Sequence, residues 1–459
     1  YNFNLAMKII KTLILIYLLP TLLFSALLHD VPLELKQPDG STLHCYASGD
    51  EYYSRLHDQN DYTITQSNED GFYYYALLEN QTIVPSIYRA DQNYNLAQLG
   101  FRKKVMISQE RYLEIRERWW NGVETRDAPT TGTVNNLNVF IRFADEDEFG
   151  NARSYYDSYF NNENGPSMKH YFSEVSYDML TVNTIHYPIS SMDSNLSYQD
   201  QYPRSYYQPY NAVTNPEGYT DSDRTDREHT LLQNAIAFIE SEVPDSLIID
   251  SNNDGNVDNV TFLVYGVPGG WADLLWPHRW ALYSVVSEIH GKRVWDYNFN
   301  MASGPYFSVG TLAHEFCHSL GAPDLYHYYN ESAPVAVGGW DVMDASTDIP
   351  QWMSSYIKYR YFNWIELQDA SGGGTFELNP LGQPNNNAYR LNSSNPNEYF
   401  IIEYRTQEGM YDSNAPGIDS GIVIYRVNDL YNGQGNAQGP PDELYVYRVG
   451  GTSNTTGVF

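Results

Sequence analysis

The residues best suited to chemistry lie at 311–328, TLAHEFCHSLGAPDLYHY. His314 and His318 are four positions apart, and Glu315 directly follows the first histidine. On a helix, residues four apart lie one turn above each other, so both imidazoles can bind one tetrahedral zinc ion. Glu315 then points to the adjoining side, where it can take a proton from a zinc-bound water instead of binding the metal. The spacing therefore predicts a catalytic zinc site with Glu315 as its general base.

The third zinc ligand has to come from the residues that follow this helix. Gly321 can adopt the left-handed conformation that ends a helix, and Pro323 cannot continue one. The chain must then turn sharply, which would bring Asp324 back toward the metal, and a carboxylate is an acceptable zinc ligand. We therefore predict Asp324 as the third ligand. In the alternative, Asp324 caps a turn, and His327, Glu331 or a distant glutamate binds the zinc.

A methionine turn is predicted further along the chain, in GGWDVMDAS at 338–346. In zinc proteases with an extended H-E-x-x-H motif, such a turn forms a floor under the metal. We assign this role to Met343, although a single methionine is more often only part of a core. A tyrosine could also assist the reaction, and Tyr326 and Tyr356 are the candidates.

A second metal is predicted in DSNNDGNVD at 250–258, where oxygen-bearing side chains occupy alternate positions around Gly255. This is the spacing of an EF-hand-type calcium loop, although Thr261 stands where the bidentate glutamate is expected. We predict a structural calcium ion here, and the alternative is a solvated turn before a strand. The predicted calcium ligands are Asp250, Asn252, Asp254, Asn256 and Asp258.

The elements that must position these residues alternate between strands and helices from about residue 136. LNVFIRF (137–143) and NVTFLVYG (259–266) have the apolar character of buried strands. Helices are predicted at 226–243 and 353–367. The pattern indicates a mixed α/β catalytic domain at 136–370. After SGGG at 371–374, the sequence is typical of strands, so we predict a β-rich C-terminal subdomain at 371–459, which we expect to be truncated.

The N-terminal residues 7–28, MKIIKTLILIYLLPTLLFSALL, have two lysines, an apolar run and small residues near Ala26. This pattern predicts a secretory signal peptide at 1–26, with Met7 as the true start. A membrane anchor is the alternative, but Pro20 interrupts the run and no basic stop-transfer cluster follows. We therefore expect a secreted protein.

Residues 27–128 are predicted to form a small β-rich prosegment that ends in a basic linker helix. Turn clusters separate aromatic strand-like runs across 30–100, and SQERYLEIRERWW (108–120) is typical of a helix with Ser108 as its N-cap. Basic residues are concentrated at 102–126, where a processing protease could cut. An ordinary interdomain linker is the alternative.

The two cysteines, Cys45 and Cys317, are too few for a disulfide scaffold or for a zinc site with several thiolates. Cys45 lies in the predicted prosegment, and its thiolate could block the open zinc position and keep the enzyme latent. Cys317 lies one turn from His314, either as a small buried hydrophobic residue, which we favour, or as a redox-sensitive thiol.

The charge balance is strongly acidic, with 57 Asp and Glu against 27 Lys and Arg and a net charge of −30. Such a charge repels phosphate backbones, so nucleic-acid binding is disfavoured. It is compatible with calcium binding and with solubility outside cells.

Several motifs together resemble the immune inhibitor A family of secreted metallopeptidases, which belongs to the wider metzincin-like group. The resemblance extends over about residues 136–430, with a weaker similarity of 31–100 to the family's prosegment. It implies a metzincin-like fold, zinc ligation by His314, His318 and Asp324, and Glu315 as general base. Cys317 is a departure, since the family often has glycine there, and the truncation that we expect would account for the missing downstream accessory domain of the family. The motifs are HEFCHSLGAPDLY, GGWDVMD, FSEVSYDMLTVN, DSNNDGNVDNVTFLVYG with WPHRW, and NEYFIIEYR with GIVIYRV.

Together these features predict a secreted zinc endopeptidase that is made as a latent precursor and acts on proteins or peptides. We expect a monomer that is not stably inserted in a membrane after signal cleavage. The competing hypothesis is a calcium-stabilised extracellular binding or adhesion protein with an inactive metal site. Retention of Glu315 argues against a decayed enzyme. A zinc hydrolase acting on a non-peptide bond is a third possibility.

Overall fold

A computed structural model describes residues 28–50, 52–120, 128–268, 274–329, 333–417 and 419–448. The predicted signal peptide, with Met7 and Ala26, lies outside these ranges, and so does Glu331. The described residues form a mixed α/β protein with several sheets, which confirms the fold class at that level. No helix in these ranges is long and apolar enough to cross a membrane.

The N-terminal segment forms an antiparallel sheet in which each strand pairs with the next along the chain. Side chains alternate across these strands, so Leu43, Cys45 and Ala47 of the second strand face the core. A helix, α1 (Gln109–Trp120), follows, and Ser108 Oγ accepts a hydrogen bond from Arg111 N at 3.2 Å as the predicted N-cap. The strands are β1 (Leu28–Lys36), β2 (Thr42–Gly49), β3 (Ser54–His57), β4 (Thr63–Gln66), β5 (Tyr73–Glu79) and β6 (Thr82–Arg89).

A second sheet lies at the centre of the molecule. Its strands are β7 (Gly132–Arg142), β8 (Leu180–Tyr187), β9 (Tyr198–Gln199), β10 (Val260–Val264), β11 (His278–Ala281) and β14 (Asp296–Met301). The order is β11-β14-β10-β7-β8, with β9 paired to β7, and only β11 runs antiparallel to its neighbour. Every residue of β10 is buried, because both faces of this parallel region are covered. A small hairpin consists of β12 (Glu288–Ile289) and β13 (Lys292–Arg293).

Helices pack around this sheet, and some differ in length from the prediction. The helix predicted at 226–243 ends at Ile239, and that predicted at 353–367 covers only Ser355–Arg360. Asn363 has a φ of +57°, and Trp364 N donates to Lys358 O at 2.8 Å, which is a left-handed helix termination. The helices are α2 (Arg153–Asn161), α3 (Met168–Val175), α4 (Arg224–Ile239), α5 (Val309–Ser319), α6 (Ser355–Arg360) and α7 (Gly409–Asp412).

The C-terminal residues form a third sheet with strand order β15-β16-β17-β18-β19. Its inward residues Ile401 and Tyr425 belong to the same hydrophobic cluster as Phe316 of α5 and Ile357 of α6. The C-terminal sheet therefore shares a continuous core with the helix that carries the histidines. The strands are β15 (Gln368–Asp369), β16 (Ala388–Asn392), β17 (Glu398–Arg405), β18 (Gly421–Asn428) and β19 (Leu444–Val446).

Candidate metal centre

Helix α5 places the two histidines in the interior of the protein. The helix begins after Ser308, whose Oγ accepts a hydrogen bond from Thr311 N at 3.0 Å. Nearly every residue from Val309 onward is buried, including His314, and Glu315 is 1% exposed. A helix that is apolar on almost all sides is stable only when surrounded by protein, so its polar residues have fixed surroundings.

The end of α5 returns the chain toward the histidines, as predicted. Gly321 has a φ of +100°, and Ala322 N donates to Cys317 O at 3.0 Å across the end of the helix. This is the hydrogen bond of a Schellman termination, which needs a residue that tolerates the left-handed region. The turn brings the carboxylate of Asp324 against both imidazoles.

Three electron-donating atoms converge at this point. Asp324 Oδ1 lies 3.1 Å from His314 Nε2 and 3.3 Å from His318 Nε2, and the two Nε2 atoms are 3.1 Å apart. A tetrahedral zinc ion with bonds of about 2.0–2.1 Å holds its ligand atoms about 3.3 Å apart. Among the described residues, His314, His318 and Asp324 form a group of three metal-binding side chains whose ligand atoms all lie within 4.8 Å of one another.

The proton positions leave both Nε2 atoms available to a metal. His314 Nδ1 is 2.9 Å from Val342 O, and His318 Nδ1 is 2.8 Å from Ala322 O. A carbonyl oxygen can only accept, so each Nδ1 carries a proton and each neutral ring presents a lone pair at Nε2. Two such lone pairs and a buried carboxylate oxygen repel one another unless a cation lies between them, so the residues fit a metal ion.

The carboxylate of Asp324 is ionised and oriented. Burial alone would raise its pKa, but His318 and His314, when they carry protons in place of a metal ion, outweigh burial and hold the pKa of Asp324 well below its usual range. The hydroxyl of Tyr328 donates to Oδ2, which leaves Oδ1 facing the histidines. Tyr328 was not among the predicted site residues, because a tyrosine four positions after an aspartate has no distinctive signal in a chain with 42 tyrosines.

The predicted methionine turn lies against the candidate metal site and contacts it through two backbone carbonyl groups. Met343 is fully buried in the cluster that contains Leu325. Met343 O accepts from Leu325 N at 2.8 Å, and the preceding carbonyl, Val342 O, is the acceptor for His314. The turn therefore orients the candidate ligand His314 and holds Leu325, the residue that follows the candidate ligand Asp324.

The alternative ligand His327 is engaged elsewhere, since its Nε2 lies 2.7 Å from Asp442 Oδ1. The two candidate tyrosines differ in position. The ring of Tyr326 lies 6.4 Å from that of His314, centroid to centroid. Tyr356 is buried, and its hydroxyl donates to Glu443. Tyr326 thus remains the candidate for assisting the reaction, and Tyr356 has a structural contact.

Both cysteines are buried and unsuited to act as thiolates. Cys317 lies in the hydrophobic core around α5, and burial raises the pKa of its thiol. Burial also raises the pKa of Cys45 to about 12, within the core beneath the N-terminal sheet. A thiol with that pKa is protonated at neutral pH, so Cys45 in this position is not a thiolate that blocks a metal.

The predicted calcium loop is closed by its own hydrogen bonds. Asp250 accepts from Asp254 N at 3.0 Å and from Gly255 N at 3.1 Å, and Lys292 Nζ lies 2.6 Å from its Oδ2. Asn252 Oδ1 accepts from Asp254 N, and Asp254 Oδ1 accepts from Asn256 N. Both oxygens of Asp258 accept from Ser251 N at 3.1 Å. Calcium binding here stays a prediction. It would require the ammonium group of Lys292 to move away from the carboxylate of Asp250.

Comparisons with known proteins provide no family assignment. No protein-family model matches the chain, and no curated protein matches it. Among solved structures, the chain is similar to wild-type OgpA from Akkermansia muciniphila at 11% identity and a TM-score of 0.26, over 68% of this chain and 88% of that one. Catalytically inactive OgpA in complex with an O-glycopeptide (glycodrosocin) substrate gives 10% identity and a TM-score of 0.25, over 68% and 87%. Similarity this low supports no conclusion about function, and membership of the immune inhibitor A family stays a prediction.

Proposed function

We propose that this protein is a secreted zinc-dependent endopeptidase that hydrolyses peptide bonds in proteins and is made as a latent precursor. The observation that carries the proposal is the convergence of His314 Nε2, His318 Nε2 and Asp324 Oδ1 within 3.3 Å of one another. Glu315 follows the first of these ligands on the same helix. Three protein ligands leave a fourth position open, as catalytic zinc sites require.

The proposed reaction divides the work between the metal and the protein. A zinc ion held by His314, His318 and Asp324 would lower the pKa of water and polarise the carbonyl group of the peptide bond. The carboxylate of Glu315 accepts the proton of the attacking water and then donates it to the leaving amine. The backbone carbonyls behind His314 and His318 keep both imidazoles in the tautomer that the reaction needs.

The proposal of latency is supported by contacts between the N-terminal segment and the residues beside the site. Tyr52 and Tyr112 pack on Tyr328 with ring centroids 5.1 and 6.4 Å away, and the guanidinium of Arg116 lies 5.3 Å from the centroid of that ring. Tyr328 in turn donates to Asp324. In this arrangement the N-terminal segment packs on the residue that hydrogen bonds to Asp324, and the side chain of His318 is 16% exposed.

The test is hydrolysis of a peptide panel by the processed protein and by its Glu315→Gln variant. We expect the variant to keep its fold and its zinc but to lose activity by about 10²–10⁴-fold, because only proton transfer is removed. Glu408→Gln, at an exposed glutamate, is the control and should match the wild type. Undiminished peptide hydrolysis by Glu315→Gln would exclude this mechanism. Cleavage of ester or glycosidic bonds without cleavage of peptide bonds would indicate another class of hydrolase.

A further inference from the structure

The segment that follows helix α5 carries the candidate ligand Asp324. We define residues 320–328 as the ligand loop. It contains no regular secondary structure, yet Asp324 must stay within bonding distance of a metal held by α5. Its position therefore depends on what packs against it. One such neighbour is the loop at 433–442, which connects the 3-10 turn after β18 to β19 of the C-terminal sheet.

Asn436 joins the two loops through both its backbone and its side chain. Asn436 N donates to Asp324 O at 2.9 Å, and its Nδ2 donates to Leu325 O at 2.8 Å. The same amide group donates to Leu444 O at 2.7 Å and accepts from Leu444 N at 3.1 Å. Asn436 is fully buried. Its side chain thus ties the ligand loop directly to the last described strand of the C-terminal sheet.

Further contacts continue the same junction. Tyr328 N donates to Ala437 O at 3.1 Å, and His327 Nε2 lies 2.7 Å from Asp442 Oδ1. The ligand loop is therefore held at Asp324, Leu325, His327 and Tyr328, which covers the third candidate ligand and the residue that hydrogen bonds to it. In each of these junction contacts the partner residue, Asn436, Ala437 or Asp442, belongs to 433–442.

The close approach of the two loops also requires a glycine. Gly435 has a φ of +64°, and a methyl group at this position would lie 2.2 Å from Asp324 O. No real side chain tolerates such a contact with a backbone oxygen, so the backbone of Asp324 or of residue 435 would have to move. Gly433 also has a positive φ, +85°, but a methyl group there would meet nothing within 4 Å.

We propose that Asn436 is a positioning residue for the metal ligand Asp324, and that the 433–442 loop makes the C-terminal sheet part of the metal centre. The proposal rests on the function proposed above in one respect, namely that the metal is zinc. It assigns to the C-terminal subdomain a direct part in metal affinity, beyond its packing with α5. Asn436 does not contact substrate or metal, and its effect on the site is transmitted through the backbone of Asp324 and Leu325.

The experiment measures zinc affinity in the full chain by competition with a chelator, for wild type and for Asn436→Ala. Supporting groups behind metal ligands typically contribute 10–100-fold to affinity, so we expect zinc binding to weaken by about that factor. The control is Asn387→Ala. Asn387 is also a buried asparagine of the C-terminal sheet region, but its amide donates to Gln383 O and Tyr177 OH rather than to the ligand loop.

A second pair of variants tests the same junction by insertion instead of removal. Gly435→Ala and Gly433→Ala both place alanine in the left-handed region, so the two variants share the cost of that conformation. Only the methyl group of Gly435→Ala clashes with the backbone oxygen of Asp324, so we expect only this variant to weaken zinc binding. If Asn436→Ala fails to fold, the comparison of Gly435→Ala with Gly433→Ala still tests whether the 433–442 loop positions Asp324.

The outcomes separate this inference from the proposed function. If wild type binds zinc and both Asn436→Ala and Gly435→Ala bind it equally tightly, the inference is wrong while the zinc site stands. If Asn387→Ala or Gly433→Ala weakens zinc binding as much as its counterpart, the effect is general destabilisation, and the inference is also wrong. If the wild type itself binds no zinc, the proposed function fails first. Melting temperatures of the metal-free variants identify any loss due to folding alone.

Discussion

At the scale of single residues, Tyr328 determines which oxygen of Asp324 faces the two histidines. Its hydroxyl donates to Oδ2, so replacing Tyr328 with phenylalanine leaves that buried oxygen without this donor. Without this hydrogen bond the carboxylate can rotate more freely, so Oδ1 is held less firmly toward His314 and His318. We expect Tyr328→Phe to weaken zinc binding by about 10–100-fold, as measured by chelator competition.

The neighbouring Tyr329 provides a control at the same scale. Its hydroxyl donates to Ile107 O at 3.0 Å, in the N-terminal segment, and not to Asp324. Tyr329→Phe should therefore leave zinc affinity at the wild-type value. Equal zinc affinity in wild type and Tyr328→Phe would show that Asp324 needs no hydrogen bond to hold its orientation.

The sequence could predict the candidate ligands but not the groups behind them. His314, His318 and Asp324 follow from a helical spacing and from the turn that Gly321 permits, because both are local properties of the chain. Val342 O and Asn436 belong to distant segments, and a backbone carbonyl has no residue signature at all. The hydrogen bond of the candidate Tyr356 could not be predicted for the same reason, since its partner Glu443 is 87 residues away.

At the scale of elements, Gly310 determines how closely α5 approaches the residues after the methionine turn. Alanine normally favours a helix over glycine by about 1 kcal/mol. Here, however, its methyl group would lie 2.1 Å from Thr347 O. Because backbone has to move, we expect Gly310→Ala to destabilise the protein by about 1–3 kcal/mol in denaturant unfolding. Gly150→Ala, where a methyl group meets nothing within 4 Å, is the control, and a stabilised Gly310→Ala would contradict this packing.

The predicted calcium loop is a second element whose behaviour can be tested. Calcium has to displace the ammonium of Lys292 from Asp250, so Lys292→Gln should bind calcium more tightly than wild type, and Asp250→Asn more weakly. Burial, followed by the charges of Asp250 and Asp254, raises the pKa of Asp258 to about 6. Protons therefore compete with calcium as the pH falls through about 6, and affinity should decrease there. Titration calorimetry measures both effects, and the absence of calcium binding by every variant would identify the loop as a simple turn.

At the scale of the whole molecule, the N-terminal sheet and the central sheet share one hydrophobic cluster, which includes Cys45 and Val264. The sequence predicted a β-rich N-terminal segment from turns and aromatic runs. It did not predict which surface this segment covers, because packing between distant segments leaves no periodic pattern in either. The C-terminal sheet likewise was predicted as strands, while its continuity with the core around α5 depends on contacts far apart in the chain.

The proposed latency of the precursor depends on packing between the N-terminal segment and the rest of the molecule. Each aromatic pair contributes about 0.5–1.5 kcal/mol, so losing the contacts of Tyr52 or Tyr112 with Tyr328 should raise the basal activity of the precursor by about fivefold. Peptide hydrolysis by Tyr52→Ala and Tyr112→Ala precursors tests this, before and after limited proteolysis in the basic stretch at 102–126.

The control is Tyr94→Ala, because Tyr94 packs on Tyr75 and Tyr88 within the N-terminal segment itself. Cys45→Ser should also leave latency unchanged, since its thiol is buried in the core. Equal activity of the intact and the cleaved wild type would exclude an inhibitory N-terminal segment.

The most direct test of the proposed zinc site is the zinc content of the folded full chain after metal removal and reloading, measured by elemental mass spectrometry. Wild type and His314→Ala are compared under the same conditions. We predict about one zinc per chain for wild type, because three donor atoms form one tetrahedral site, and a large loss of zinc for His314→Ala. A folded wild type that takes up no zinc, or a His314→Ala variant that retains it fully, would contradict the site and the function proposed from it.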